Sequence, residues 1–138
     1  MIIVDTNVWS ETLRAVPDPH VLRWFRANAA DLYMPALVVH ELVFGIELLP
    51  DGRKRTQLEP HVHAMIARIA RRVLPYDADT ARTHAALRAA ARLAGREPSA
   101  QDGQIAAHAA HHNAALATRN TTDFAGLNIT LVNPWDVR

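Results

Sequence analysis

Four acidic residues stand where a carboxylate is expensive. Asp5 in MIIVDTN, Glu41 in VVHELVFG, Asp102 in SAQDGQIAAHA and Asp123 in ATRNTTDF each end an apolar run or lie inside one. An ionised carboxylate taken out of water is normally paired with a cation or bound to a metal. Lys54 is the only lysine, and none of the four acids has a lysine or arginine beside it in sequence. If they converge in space, four such groups form a site for a divalent cation. Magnesium and manganese accept an all-oxygen shell, and magnesium takes one or two carboxylates plus waters.

Each acid also has a plain structural reading. Asp5 suits the cap of a helix starting at Thr6 or Asn7. With Ser99 as N-cap, Asp102 falls at the third helical position, as in a capping box. Asp123 in Asn-Thr-Thr-Asp fits a turn, and an arginine from elsewhere could neutralise Glu41. Glu41 is hardest to explain this way, because Val38, Val39, Leu42, Val43 and Phe44 surround it and Gly45 leaves space one turn later. Clustering without a cation would raise at least one carboxylate pKa by mutual repulsion. The eight histidines compete poorly for a metal. His108 and His112 are four apart, but Ala109 stands where a zinc protease carries its glutamate, and His61 and His63 point to different helix faces. Most of the eight read as surface groups.

The elements that must position these acids alternate along the chain. Ile2-Ile3-Val4 predicts a short strand covered on both faces. Pro17 and Pro19 break the chain before a helix ending near Asn28, and Leu32-Tyr33-Met34 is a brief strand stopped by Pro35. A helix from Ala36 to Leu49 carries Glu41 and ends at the Pro50-Asp51-Gly52 turn. Next comes a helix from about Arg53 to Arg71, with Leu58, Val62, Met65, Ile66 and Ile69 as its apolar stripe. Asp77 caps a helix closed by Gly95, and Ser99 caps another running to about His112. Ala114 to Thr118 and Ile129 to Val132 are the last strands. Such alternation predicts one α/β domain over residues 1–138, a parallel sheet sandwiched between helices. Ligands of these sheets gather at the carboxyl ends of the strands, where both Asp5 and Asp123 would lie.

Composition removes several classes. With no cysteine there are no disulfides, no thiol catalysis and no cysteine-based metal sites. The N-terminus has no basic segment before its apolar residues, and no apolar stretch approaches the ~20 residues of a membrane helix. A cytoplasmic protein without membrane contact is the expectation. The net charge of +1 does not by itself point to nucleic acid. Arginine makes up all of the Lys and Arg total except Lys54, and its planar fork suits phosphate. A haloacid-dehalogenase-like phosphatase needs a second acid where Asn7 stands, and a lysine near its phosphate. A receiver domain also needs a well-placed lysine, which the chain lacks.

In their order, MIIVDTNVWSE, VVHELVFGIELL, SAQDGQIAAHA and ATRNTTDF resemble the PIN-domain family, most closely the toxin ribonucleases of VapBC- and FitAB-type toxin–antitoxin pairs. The likeness spans nearly the whole chain, including Asn133-Pro134-Trp135, which is similar to the FitB-like branch. The resemblance implies the family's acidic set at Asp5, Glu41, Asp102 and Asp123. Thr6, Asn7, Thr118 and Asn120 match its small polar positions, and Arg119 stands where it could touch a backbone phosphate. It further implies Mg2+- or Mn2+-dependent RNA cleavage, a homodimer, and inhibition by a cognate antitoxin that alone contacts operator DNA. Trp24, Phe25 and Phe44 are candidates for the antitoxin groove as well as for the core. The alternatives are a DNA-cleaving PIN-like nuclease and a non-catalytic, metal-stabilised interaction domain.

Overall fold

The computed structural model describes residues 1–136. Five short strands, β1 (Ile2–Val4), β2 (Leu32–Pro35), β3 (Val73–Leu74), β4 (Ala115–Ala117) and β5 (Leu131–Val132), form one sheet in the order β3-β2-β1-β4-β5. All pairings are parallel, with Ile2 opposite Leu32 and Ala115, and Leu116 opposite Leu131. Successive strand residues face opposite sides. Ile3 and Val4 are both fully buried, as are Leu116 and Ala117, so the centre of the sheet is covered on both faces. Each such Ile or Leu contributes roughly 1.5–3 kcal/mol, whereas an exposed pair such as Asp79–Arg82 adds about 0–1 kcal/mol. The core therefore holds the platform rigid.

Six helices connect the strands: α1 (Thr6–Thr12), α2 (Pro19–Ala27), α3 (Ala36–Glu47), α4 (Arg53–Arg68), α5 (Ala78–Leu93) and α6 (Ala100–His111). Their starts obey capping chemistry. Asp18, Asp77 and Ser99 each accept a backbone N–H of the following turn, worth about 1 kcal/mol apiece. Pro19 opens α2 rather than breaking the chain, because the first helical position needs no N–H donor. At the end of α5, Gly95 takes φ +75°, and the Arg96 N–H reaches back to the Ala91 carbonyl, a Schellman closure.

Other boundaries differ modestly from expectation. The fourth helix stops at Arg68, and Ala70–Arg72 forms a 3-10 turn before β3. The last two strands are shorter than the apolar runs that contain them, since β-pairing covers only part of each run. Trp24 is buried, and Phe25 packs edge-on against Trp9 at 5.2 Å between ring centres. Both belong to the core, and only Phe44 is left at the surface.

One histidine corrects the surface reading of the group. His108, on α6, is fully buried, and neither ring nitrogen has a hydrogen-bond partner among the described residues. It lies where α5 and α6 pack together, beside Tyr76 and near His84, His111, His112 and Asp77. Burial first, then the charge of His112, push its pKa down to about 4, with Asp77 opposing. The periodicity of an alanine-rich helix hides such a residue, because His on its own is ambivalent about burial.

Candidate active site

The strand order reverses between β1 and β4. The chain moves from β1 outward to β2 and β3, then returns to place β4 on the other side of β1. In open parallel sheets the ligand crevice opens at that switch point, beyond the carboxyl ends of the strands. Asp5 follows β1 there, and its N–H donates to the Ala117 carbonyl at 2.9 Å. Thr118 follows β4 and donates its hydroxyl to Asp5 Oδ2 at 2.8 Å.

A small polar lattice grows from this contact. Asp5 Oδ1 accepts the Thr6 N–H at 2.7 Å, so Asp5 is also the N-cap of α1. Capping and site membership are thus compatible: one carboxylate oxygen closes the helix and the other meets Thr118. The Thr6 hydroxyl donates to Glu41 Oε2 in a short hydrogen bond, tying α1 to α3. Thr118 Oγ1 accepts the Asn120 N–H at 3.1 Å and Asn7 Nδ2 at 3.5 Å. Asn7 Oδ1 accepts the Arg119 N–H at 3.4 Å. Every small polar residue named from the sequence is therefore wired to the acids or to one another.

The acids feel one another. Burial raises the Asp5 pKa, hydrogen bonds from Thr118 and Thr6 oppose the rise, and the charges of Asp102 and Glu41 add to it. Burial also raises the pKa of Asp102, with Ser99 opposing and the charges of Asp123 and Glu41 adding. Ser99 Oγ accepts the Asp102 N–H at 3.1 Å, so this acid too keeps its helix-start role. Asp123 sits exposed on the 3-10 turn Thr121–Phe124. The end of β1, the middle of α3, the first turn of α6 and the 3-10 turn after β4 thus place the acids so that Asp5 feels Asp102 and Glu41, and Asp102 feels Asp123 and Glu41.

Among the described residues, none of the four forms an ion pair with lysine or arginine. Those pairs join Glu11 to Arg14, Glu47 and Glu59 to Arg55, Asp79 to Arg82, and Glu97 to Arg88 and Arg92. Arginine neutralisation of Glu41 is therefore not observed. Glu11, a buried acid that its sequence context does not single out, has a different task. It accepts the Asp18 N–H at 2.8 Å and pairs with Arg14, which ties α1 to the start of α2.

The donor chemistry fits a hard divalent ion: carboxylate oxygens without a lysine or arginine partner, beside hydroxyls and amides, with neighbouring charges helping to raise the pKa of Asp5 and Asp102. Among the described residues no three acid or imidazole groups stand close enough to ligate one ion together. An ion that retains waters needs only one or two direct carboxylates.

Beside Glu41 opens a trough between α1, α3 and α4 with a volume of about 1180 Å³. Leu13, Leu42, Ile46, Leu49, Leu58 and Val62 form its apolar floor, while Arg14, Lys54 and His61 stand among its lining. None of Trp24, Phe25 and Phe44 is among its lining residues. A Cβ added at Gly45, another lining residue, would meet nothing within 4 Å. The space foreseen beside the Glu41 carboxylate is present.

Comparison with known proteins identifies the family. The family model for the PIN domain matches residues 2–127. The chain is 40% identical over 138 residues to VapC ribonuclease Y4jK of Sinorhizobium fredii, covering 99% of each chain. It is 39% identical over 137 residues to the toxin FitB of Neisseria gonorrhoeae, covering 98% of this chain and 99% of FitB. The crystal structure of FitAcB from Neisseria gonorrhoeae superposes with a TM-score of 0.92 at 37% identity, over 99% of this chain and 100% of that one. The chain belongs to the PIN-domain family.

Proposed function

We propose that the protein is an endoribonuclease toxin, dependent on Mg2+ or Mn2+ and silenced by a cognate antitoxin. The observation that carries the reading is Asp5 and Asp102 beside the switch point of the sheet, their pKa values raised by burial and by the charges of neighbouring acids including Glu41 and Asp123, with none of the four paired with a lysine or arginine. The 40% identity to a VapC ribonuclease supports RNA as the substrate.

In this reading Asp5 and Asp102 would hold the metal directly, and Glu41 and Asp123 would ligate it, hold its waters or orient the attacking water. A divalent ion bound there supplies acidity to a water and screens charge on the phosphate. Thr118 and Thr6 fix the carboxylate rotamers of Asp5 and Glu41, so the site is set before substrate arrives. Asn7 ties Thr118 and Arg119, just after β4, to α1, and the Asn120 N–H closes the loop locally on Thr118. Water attacks phosphorus, the bond to the 3′ oxygen breaks, and that oxygen leaves as a hydroxyl after taking up a proton. No side-chain nucleophile takes part. The expected products carry 5′-phosphate and 3′-hydroxyl ends, and binding weakens as salt rises. End-group mapping of RNA cut by the purified protein checks this. Ends bearing 2′,3′-cyclic phosphate mean attack by the 2′ hydroxyl and defeat the mechanism.

The trough beside Glu41 suits an amphipathic antitoxin segment whose arginine pairs with Glu41 or Asp123. Only the antitoxin contacts operator DNA, and the toxin acts as a homodimer in the cytoplasm. No helix among the described residues is long and apolar enough to cross a membrane. Gly45→Tyr should project into the trough without disturbing the helix backbone, because a Cβ there meets nothing within 4 Å and glycine inside a helix costs ~1 kcal/mol relative to alanine. Antitoxin affinity should fall at least about tenfold, which is ~1.4 kcal/mol, while the melting temperature does not drop. Co-expression with the neighbouring upstream gene, followed by copurification and titration, measures it. Unchanged affinity places the antitoxin elsewhere.

A further inference from the structure

Trp135 lies outside the roles assigned so far, and Arg119 has only the phosphate contact that the family resemblance implies. Arg119 directly follows Thr118, and its N–H is held by Asn7, so its backbone is fixed at the rim of the carboxylate crevice. Its side chain is exposed and, among the described residues, pairs with no carboxylate. Instead the guanidinium carbon lies over the Trp135 ring, 5.0 Å from its centroid.

Trp135 is itself rigidly mounted. Its N–H donates to Asn133 Oδ1 at 3.0 Å, Asn133 Nδ2 donates to Asp136 Oδ2 at 3.1 Å, and the Asp136 N–H meets the Asn133 carbonyl at 3.0 Å. Pro134 between them is buried. Trp9 and Trp24 are core residues, whereas Trp135 is only half-buried. A partly exposed indole held by a self-capped turn, with an unpaired guanidinium over it, is more order than packing alone requires.

Resting on the ribonuclease reading, we propose that Arg119 and Trp135 form a clamp for single-stranded RNA beside the scissile bond. Arg119 contacts a backbone phosphate, and the Arg–Trp stack receives a flanking base. Stacking of bases on indole and guanidinium planes is the sequence-tolerant mode by which single strands are held. Charge favours this occupant: four carboxylates repel a polyanion, and a cation at their rim offsets that repulsion for the phosphate next to the reacting one. The clamp sets substrate affinity and the base preferred next to the cut.

The test uses full-length Asp5→Asn, which binds RNA without cutting, titrated in magnesium buffer with a single-stranded RNA 12-mer while tryptophan fluorescence is read. Binding is expected to quench the emission, and Trp135→Phe in the same background should remove the quench, since Trp9 and Trp24 are shielded. In the active protein, Arg119→Gln is expected to raise KM about tenfold with a smaller effect on kcat, and to lower the slope of log affinity against log salt by about one. Trp135→Phe should shift the base composition flanking the cut sites. Arg119 is exposed, so Arg119→Gln judges the clamp even if a Trp135 variant folds poorly. Unchanged KM and salt slope in Arg119→Gln, with an unquenched Trp135, overturn the clamp. Loss of antitoxin affinity without any effect on RNA also overturns it and assigns the pair to that protein interface. A wild-type protein that cuts no RNA refutes the ribonuclease reading, while the fluorescence titration still decides whether the clamp binds RNA.

Discussion

Asp5→Asn is expected to abolish RNA cleavage, by at least about a hundredfold, and to raise the melting temperature measured in EDTA. The first effect follows from chemistry. Changing the residues that merely orient metal ligands costs about 10–100-fold, so losing a ligand's charge should cost no less. The second effect follows from burial. Asp5 is buried, and its pKa is raised by desolvation and by the charges of Asp102 and Glu41. A raised folded-state pKa means that this stability is present at acid pH and lost as pH rises through the folded value. At neutral pH without metal the ionised Asp5 therefore destabilises the fold. Asparagine keeps the size, caps α1 equally well and has no charge to repel. Each kcal/mol recovered corresponds to a rise of roughly 3–5 °C in a domain of this size. With magnesium present the order should reverse, since only the wild type binds the ion tightly. A purified Asp5→Asn protein that cleaves RNA at near the wild-type rate would refute the assignment. Equal melting temperatures in EDTA would refute only the electrostatic account.

Acidification should destabilise the protein through His108, independently of the carboxylates. Its folded pKa is about 4, against the ordinary 6.5. The folded state holds the ring neutral, so the contribution is intact above pH 6.5 and is lost progressively as pH falls toward 4. At 1.36 kcal/mol per pH unit, the loss approaches ~3 kcal/mol. His84 and His112 are pushed down for the same first reason, burial, and act in the same direction. Asp5 and Asp102, with raised pKa values, oppose it by taking up protons in the folded state. The total profile mixes these terms, so the informative measurement is a difference. His108→Leu, similar in volume and unable to titrate, should flatten the stability curve between pH 6.5 and 4 relative to wild type. Parallel denaturation curves for the two proteins across that range would show that His108 is not the acid-sensitive group.

Much of this protein is legible in the chain because it rests on local rules. Asp18, Asp77 and Ser99 cap helices by bonding their own first turn, and Gly95 closes one because only a residue tolerant of positive φ ends a helix that way. The alternation of short β-branched runs with amphipathic stretches requires a parallel α/β sheet. Acids stranded in apolar surroundings announce a charged site wherever they meet. Tertiary structure alone decided the rest. Strand order put β4 beside β1 and so set Thr118 against Asp5, residues far apart in sequence. Packing buried His108 between two alanine-rich helices and sent Trp24 and Phe25 into the core, leaving the trough to Leu13, Ile46 and Leu58. The turn at Asn133–Asp136 carried Trp135 under Arg119. Caps and periodicity act within a few residues, so the sequence displays them. Contacts across the sheet depend on which strands become neighbours, and only the folded chain settles that.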